Sequence, residues 1–252
     1  MKFIGIIPAR FQSTRFPGKP LAILGNKPII QWVYENASKA LDEVFVATDD
    51  KRIFKAVEAF GGKAVYTSAN HQSGTDRVAE AAQKVAESFS FDVVINIQGD
   101  EPFIRTEQVE GLKNCFDSPE TEIATLIKPI TNPDEITNIN RPKVVINKQQ
   151  EALYFSRSTI PFVRDAKPED WINRNTFYSH IGMYAYRFNI LLELTQLPVG
   201  ILEKAESLEQ LRWLENGYRI KTAQTNFENI GIDTPEDLEN ARKFLGKEDL
   251  KI

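Results

Sequence analysis

The feature that most constrains this chain is the alternation, through its first half, of short apolar runs with stretches of helical period. Phe3–Ile7, Val44–Thr48, Ala64–Tyr66 and Val93–Gln98 are brief and nearly continuous in hydrophobic residues, the pattern of strands buried on both faces of a sheet. Between them Ile29, Ile30, Val33, Ala37 and Leu41 recur at helical spacing. So do Ile53, Ala56, Val57 and Phe60, which Gly61 and Gly62 terminate, and Thr75–Phe89 reads as a third, Ala-rich helix. Strand–helix–strand repetition needs right-handed crossovers, so it predicts an α/β fold with a mainly parallel sheet. The rhythm changes after Ile123. Ile123–Lys128, Lys143–Asn147, Ala152–Ser156 and His180–Tyr186 read as strands joined by turn-rich segments, which predicts an antiparallel insertion. Helices are expected again over Asn189–Leu197 and Ile201–Asn216, and a strand near Ile220–Ala223. A last helix starts at Pro235, with Thr234 as N-cap and Asp237 completing the cap. The 252 residues read as one domain, with 1–128 and 187–252 as core and 129–186 as the insertion for substrate and dimer contacts.

Composition narrows the function classes. A net charge of −4 argues against a nucleic-acid or anionic-membrane partner, and no apolar run has membrane-spanning length, so a cytoplasmic protein is expected. Cys115 is the single cysteine and lies in a helix-like stretch without a nearby His, which reads as packing rather than nucleophilic catalysis. His71 and His180 are far apart, so a His/Cys zinc site is not expected.

Against this acidic background the segment Ile6–Leu21, I-I-P-A-R-F-Q-S-T-R-F-P-G-K-P-L, carries Arg10, Arg15 and Lys19, and no acid precedes Glu35. It leaves the carboxyl end of the first strand, where ligands bind in open α/β sheets. Converging cations repel one another unless an anion such as a triphosphate neutralises them; the alternative is a solvated loop whose cations point apart. Pro20 after Gly18-Lys19 and the missing upstream glycine exclude a Walker A loop, and no G-x-G-x-x-G is present. A second stretch, Val93–Phe103, ends its apolar run in Gln98-Gly99-Asp100-Glu101. Gly99 would let backbone approach a ligand, and Asp100 would hold Mg²⁺ or merely cap a turn. Asp233, before the Thr234 cap, reads first as a helix-start residue and second as another metal ligand. In H-Q-S-G-T-D-R, Ser73 and Gly74 offer free N–H groups either to a ligand or to an N-cap.

In order along nearly the whole chain, I-I-P-A-R-F-Q-S-T-R-F-P-G-K-P-L, V-A-T-D-D, H-Q-S-G-T-D-R, N-I-Q-G-D-E-P, A-L-Y-F-S-R-S-T-I-P, H-I-G-M-Y-A-Y-R, L-E-Q-L-R and D-T-P-E-D-L resemble the 3-deoxy-manno-octulosonate (Kdo) cytidylyltransferases. The resemblance implies a Rossmann-like nucleotidyltransferase fold with a mixed, mostly parallel sheet and an antiparallel dimerisation and substrate subdomain. It implies a homodimer that uses magnesium to join CTP and Kdo into CMP-Kdo and diphosphate for lipopolysaccharide biosynthesis. By matching, Arg10, Arg15 and Lys19 face the triphosphate, Ala9, Ser73 and Gly74 lie near the cytidine, and Asp100 and Asp233 hold magnesium. Lys19, Arg15, Asp100 and Asp233 form the catalytic set, Asp100 also touching the nucleotide. Gln98, Arg157, Arg164, His180, Tyr184, Glu209 and Gln210 surround the sugar. Read from spacing alone, Leu208, Leu211 and Leu214 face the core while Glu209 and Gln210 occupy a solvated face. Departures are small: Phe16 replaces the family's Leu, the turn Gly25-Asn26-Lys27 varies, and Arg164–Tyr178 matches poorly. Two other readings stand beside this one: a cytidylyltransferase for another acid sugar (8-amino-Kdo or sialate), and a non-catalytic nucleotide-binding regulator.

Overall fold

The computed structural model describes residues 1–71 and 73–248; Gln72 of the H-Q-S-G-T-D-R motif and residues 249–252 of the expected core lie outside them. The chain divides into two compact units, Met1–Val109 with Asn229–Ile252, and Glu110–Glu228.

In the first unit the strands are β1 (Phe3–Ala9), the short pair β2 (Ile23–Leu24) and β3 (Lys27–Pro28), β4 (Val44–Thr48), β5 (Lys63–Tyr66) and β6 (Val93–Asn96). The helices α1 (Ile29–Ala37), α2 (Lys51–Ala59) and α3 (Gly74–Ala86) alternate with them as the periodicity predicts. β6, β1, β4 and β5 lie side by side, every pair parallel. Ile4, Ile6 and Ile7 of β1 and Val93, Val94 and Ile95 of β6 are wholly buried, as strands covered on both faces must be. β5 departs from that expectation. It pairs only with β4 among the described strands, and Lys63 and Tyr66 are exposed, because an edge strand has one neighbour and less cover. Leu41 is buried beyond the end of α1, so its helical spacing reflects packing rather than helix length.

The chain enters the second unit within α4 (Thr106–Cys115). β7 (Ile123–Pro129) and β8 (Lys143–Ile146) follow, then β9 (Ala152–Ser156), α5 (Trp171–Arg174) and β10 (Tyr178–Arg187). β10 pairs antiparallel with β7 and β8, and β8 antiparallel with β9. This is the change of pairing the turn-rich sequence predicts. α6 (Phe188–Leu194), α7 (Ile201–Glu206) and α8 (Gln210–Glu215) lead to β11 (Ile220–Gln224), parallel to β7. The single helix expected over 201–216 is thus two helices. Ser207 sits at φ 51° and ψ 49°, a left-handed conformation that ends α7. Arg157 takes the carbonyls of Glu206 and Ser207, groups left without helical partners there. The chain finishes in α9 (Pro235–Glu248) of the first unit. Among the described residues no helix is long and apolar enough to cross a membrane.

Candidate active site

The site grows from the end of β1. Side chains alternate along a strand, so Pro8 and Arg10 line a cleft of about 490 Å³ while Ala9 between them is buried against the sheet. The basic loop that follows is shaped, not loose. Gly18 has φ 74°, its N–H donates to the Phe11 carbonyl at 2.8 Å, and a Cβ there would strike the Phe11 ring. Lys19 opens a short 3-10 turn, Lys19–Leu21, and its side chain is only 13% exposed.

The cations of this loop are not unopposed. Lys19 Nζ donates to Asp100 Oδ2 at 2.6 Å and to Asp233 Oδ1 at 3.0 Å, and Arg15 pairs with Asp233 Oδ2 at 2.9 Å. The acids missing from the N-terminal segment arrive from the ends of distant elements. Asp100 lies beyond β6 and Asp233 just ahead of α9. The Asp237 carboxylate accepts the N–H groups of Asp233 and Thr234, as the capping signature predicts. Asp233 therefore belongs to the helix start through its backbone and to the cleft through its carboxylate. Arg10 also lines the cleft and is exposed.

Gly99 lines the cleft and also has a packing reason to be glycine. A Cβ on Gly99 would lie 2.7 Å from the Pro8 carbonyl oxygen. The backbone it admits is that of β1, and the contact holds Asp100 beside the basic loop. Glu101, next in the chain, is pushed up to about 8 by burial and then by the charge of Asp100, against a hydrogen bond from Asn229.

Ser73 caps α3 in a reciprocal box with Asp76. Its hydroxyl oxygen accepts the Asp76 N–H, and Ser73 and Gly74 both line the cleft. The sequence reading missed Arg77, one turn further along α3. Arg77 is 5% exposed, holds Asp49 at 2.9 Å and Thr67 Oγ1 at 2.6 Å, and forms part of the cleft wall. Its signal lay in H-Q-S-G-T-D-R and V-A-T-D-D, which carry Arg77 and Asp49. His71 also lines the cleft and contacts Glu80. Burial alone would raise Glu80, but hydrogen bonds from Lys84, the Ser68 N–H and His71 outweigh it and hold Glu80 at about 2.

Of the residues expected around the sugar, Gln98 lines the cleft. The other six lie in the second unit. There Thr125 Oγ1 lies 3.0 Å from His180 Nε2, and the His180 and Tyr184 rings are 5.3 Å apart. Burial drops His180 to about 3, so its imidazole is neutral at physiological pH. Burial and then the neighbouring Tyr186 and Glu209 push the Tyr184 phenol well above its ordinary range. Gln210, expected on a solvated face, is buried in α8 beside Leu211 and Trp213, and its Nε2 has no hydrogen-bond partner. α8 is buried on more than one face, since four successive residues, Gln210, Leu211, Arg212 and Trp213, are all buried. The two arginines differ. Arg157 donates to the carbonyls of Glu206, Ile139 and Ser207, whereas the Arg164 side chain is 90% exposed beside Asp165 at 3.7 Å. Cys115 is buried and its thiol is pushed up to about 11 by burial, as an inert packed residue should be.

The carboxylates of Asp100 and Asp233 reach one ammonium nitrogen, so two hard oxygen donors already converge on a single cation. Among the described residues no group of three or more His, Cys, Asp or Glu is arranged to hold a metal. Two carboxylates beside a basic loop fit Mg²⁺, which takes one or two protein carboxylates and completes its shell with phosphate and water.

The family model for cytidylyltransferases matches residues 4–230. A 3-deoxy-manno-octulosonate cytidylyltransferase of Phocaeicola vulgatus is 60% identical over 249 residues, covering 97% of this chain and 98% of the relative. One of the same name from Bacteroides thetaiotaomicron is 59% identical over 248 residues, covering 97% and 98%. Among solved structures, a CMP:2-keto-3-deoxy-manno-octonic acid synthetase complexed with CTP superposes with a TM-score of 0.90 at 44% identity, covering 98% of this chain and all of the other.

Proposed function

The chain belongs to the cytidylyltransferase family, and from that premise we propose how its residues make CMP-Kdo. The enzyme transfers CMP from CTP to the anomeric hydroxyl of Kdo and releases diphosphate. The observation that carries the mechanism is the Lys19 ammonium held between Asp100 and Asp233, with Arg15 on the second carboxylate.

Arg10, Arg15 and Lys19 bind the triphosphate of CTP, and the Ala9 backbone with Ser73 and Gly74 lies against the cytidine. Asp100 and Asp233 would hold Mg²⁺. When bound, the metal supplies Lewis-acid charge that polarises the α-phosphate and makes the sugar hydroxyl more acidic. The C2 hydroxyl oxygen of Kdo forms the new bond to the α-phosphorus as the bond to the diphosphate breaks in line, and the hydroxyl proton passes to water. Such transfers need positioning and charge neutralisation more than covalent help. Lys19 and Arg15 neutralise charge growing on the departing diphosphate.

For the sugar, exposed Arg164 is the arginine of the second unit with donors to spare and takes the Kdo carboxylate. Arg157 acts from behind, through the loop it straps. Neutral His180, Tyr184, Glu209 and the Gln210 amide take sugar hydroxyls; a buried amide nitrogen without a protein partner supports that assignment. The insertion 129–186 carries sugar and dimer contacts, and exposed Ile139, Leu153 and Phe162 support a second copy as its partner. A single cysteine supports a cytoplasmic location.

Diphosphate release measured with CTP, Mg²⁺ and, separately, Kdo, 8-amino-Kdo and sialate tests this reading. Kdo should give the highest kcat/KM. A preference for either other sugar would move the substrate assignment, and CTP binding without release from any sugar would leave a regulator.

A further inference from the structure

Asp100 and Asp233 come from segments far apart in sequence, and something must hold their carboxylates at one spacing. Two links join the segments. The Ile232 N–H donates to the Asp100 carbonyl at 2.9 Å. Asn229 Nδ2 donates to Glu101 Oε2. Behind Asn229 stands Gln108, 1% exposed, whose Nε2 donates to Asn229 Oδ1 at 2.7 Å. Gln108 Oε1 in turn accepts the Arg105 backbone N–H at 3.0 Å, the reach-back of a residue in the first turn of α4.

The order of these bonds is forced. A backbone N–H can only donate, so Gln108 must turn its oxygen to Arg105 and its nitrogen to Asn229. Asn229 must then present its oxygen to Gln108 and has only its N–H₂ left for Glu101. Each amide has one orientation, dictated by a peptide group at the start of α4. A side chain that must donate at one end and accept at the other cannot be replaced by one that only accepts.

We infer that Gln108 and Asn229 form a relay of fixed hydrogen-bond polarity that positions the Asp100 and Asp233 carboxylates for the metal and nucleotide. They are positioning residues, and the inference rests on the role proposed above for the two carboxylates. The relay makes an asymmetric prediction. E101Q keeps an acceptor for the Asn229 N–H₂, so the relay survives. N229D replaces the amide donor that faces Glu101 by a second carboxylate, so the relay loses its fixed polarity. In E101Q/N229D the new amide at position 101 donates to the new carboxylate at position 229, and Gln108 still donates from behind.

Two readouts are taken. The first is the unfolding midpoint of the four ligand-free proteins: N229D should fall, E101Q should stay near wild type, and the double variant should recover. The second is Mn²⁺ binding to the CTP complex, followed by the loss of free-ion paramagnetic resonance signal. N229D should bind Mn²⁺ about tenfold more weakly and the double variant within about threefold of wild type, the range seen when groups supporting a metal ligand are altered. An added negative charge acting alone would tighten Mn²⁺, the opposite sign. Unchanged midpoints, tighter Mn²⁺ in N229D, or a double variant no better than N229D would overturn the relay. If wild type itself binds no Mn²⁺ with CTP, the metal role of Asp100 and Asp233 fails, while the midpoints still decide the relay.

Discussion

Replacing Gly99 by Ala tests how tightly the fold holds the site together. The strands β1 and β6 run in register up to Ile6 and Asn96, and the Ile97 N–H donates to the Ile6 carbonyl at 3.0 Å. Just beyond, the new methyl carbon would lie 2.7 Å from the Pro8 carbonyl oxygen and 3.4 Å from Ile7 Cγ2. Ordinary contact begins at 3.4 Å, so the oxygen is about 0.7 Å too close. Neither partner is the end of a flexible side chain, so the two strand ends must separate. Overpacking of this kind costs about 1–3 kcal/mol. For a chain of this size that lowers the melting temperature by roughly 3–10 °C. The same movement carries Asp100 away from the basic loop, and a misplacement approaching 1 Å costs roughly 10- to 100-fold in rate. Gly231→Ala is the control, since a Cβ there meets nothing within 4 Å. Melting by fluorimetry and diphosphate release give the two numbers. If Gly99→Ala matches Gly231→Ala in both, the backbone contact does not set the geometry of the site.

Other consequences can be checked separately. Lys19→Ala removes charge-assisted hydrogen bonds and should lower kcat/KM for CTP by about 10- to 100-fold, and unchanged kinetics would make the loop a bystander. Arg164→Ala should raise KM for Kdo by a similar factor of about 10 to 100 without moving the melting temperature, whereas Arg157→Ala should lower the melting temperature by freeing three carbonyls. Burial keeps His180 at about 3 against 6.5 in the unfolded chain. The unfolded state therefore takes up the proton first, and stability is complete above 6.5 and falls as pH drops towards 3, by about 1.4 kcal/mol per pH unit. His180→Gln should flatten the dependence of the urea midpoint on pH between about pH 6 and pH 5; an unaltered slope would contradict the buried, neutral imidazole.

Much of the fold could be read from hydrophobic period, because β1, β4 and β6 are covered on both faces and the helices between them carry one apolar stripe each. β5 could not be recognised as an edge, since strand order depends on pairings between distant segments. The cations and carboxylates of the cleft were visible as residue types at strand and helix ends. Their mutual contacts were not, because Asp100 and Asp233 reach Lys19 from positions set only by the folded sheet. Arg157 and Arg164 look alike as cations in sequence. They differ in what surrounds them: three carbonyls for one and solvent for the other. Gln210 looked solvated because the Leu208, Leu211 and Leu214 spacing marks a single packed face, whereas Gln210, Leu211, Arg212 and Trp213 of α8 are all buried. The Gln108–Asn229 relay left no pattern, since polar residues buried for their hydrogen bonds have no period.

The most direct test of the account is Asp233→Asn across a magnesium titration. Asparagine keeps the volume at the head of α9, and the N–H groups of positions 233 and 234 still have Asp237 to accept them, so the melting temperature should hold. Turnover of CTP and Kdo should fall about 100-fold or more and should not recover as magnesium rises, because the lost carboxylate is one of the two proposed to hold the metal. Near-normal turnover at every magnesium concentration, with the fold intact, would contradict the claim that this carboxylate pair and the basic loop beside it carry the reaction.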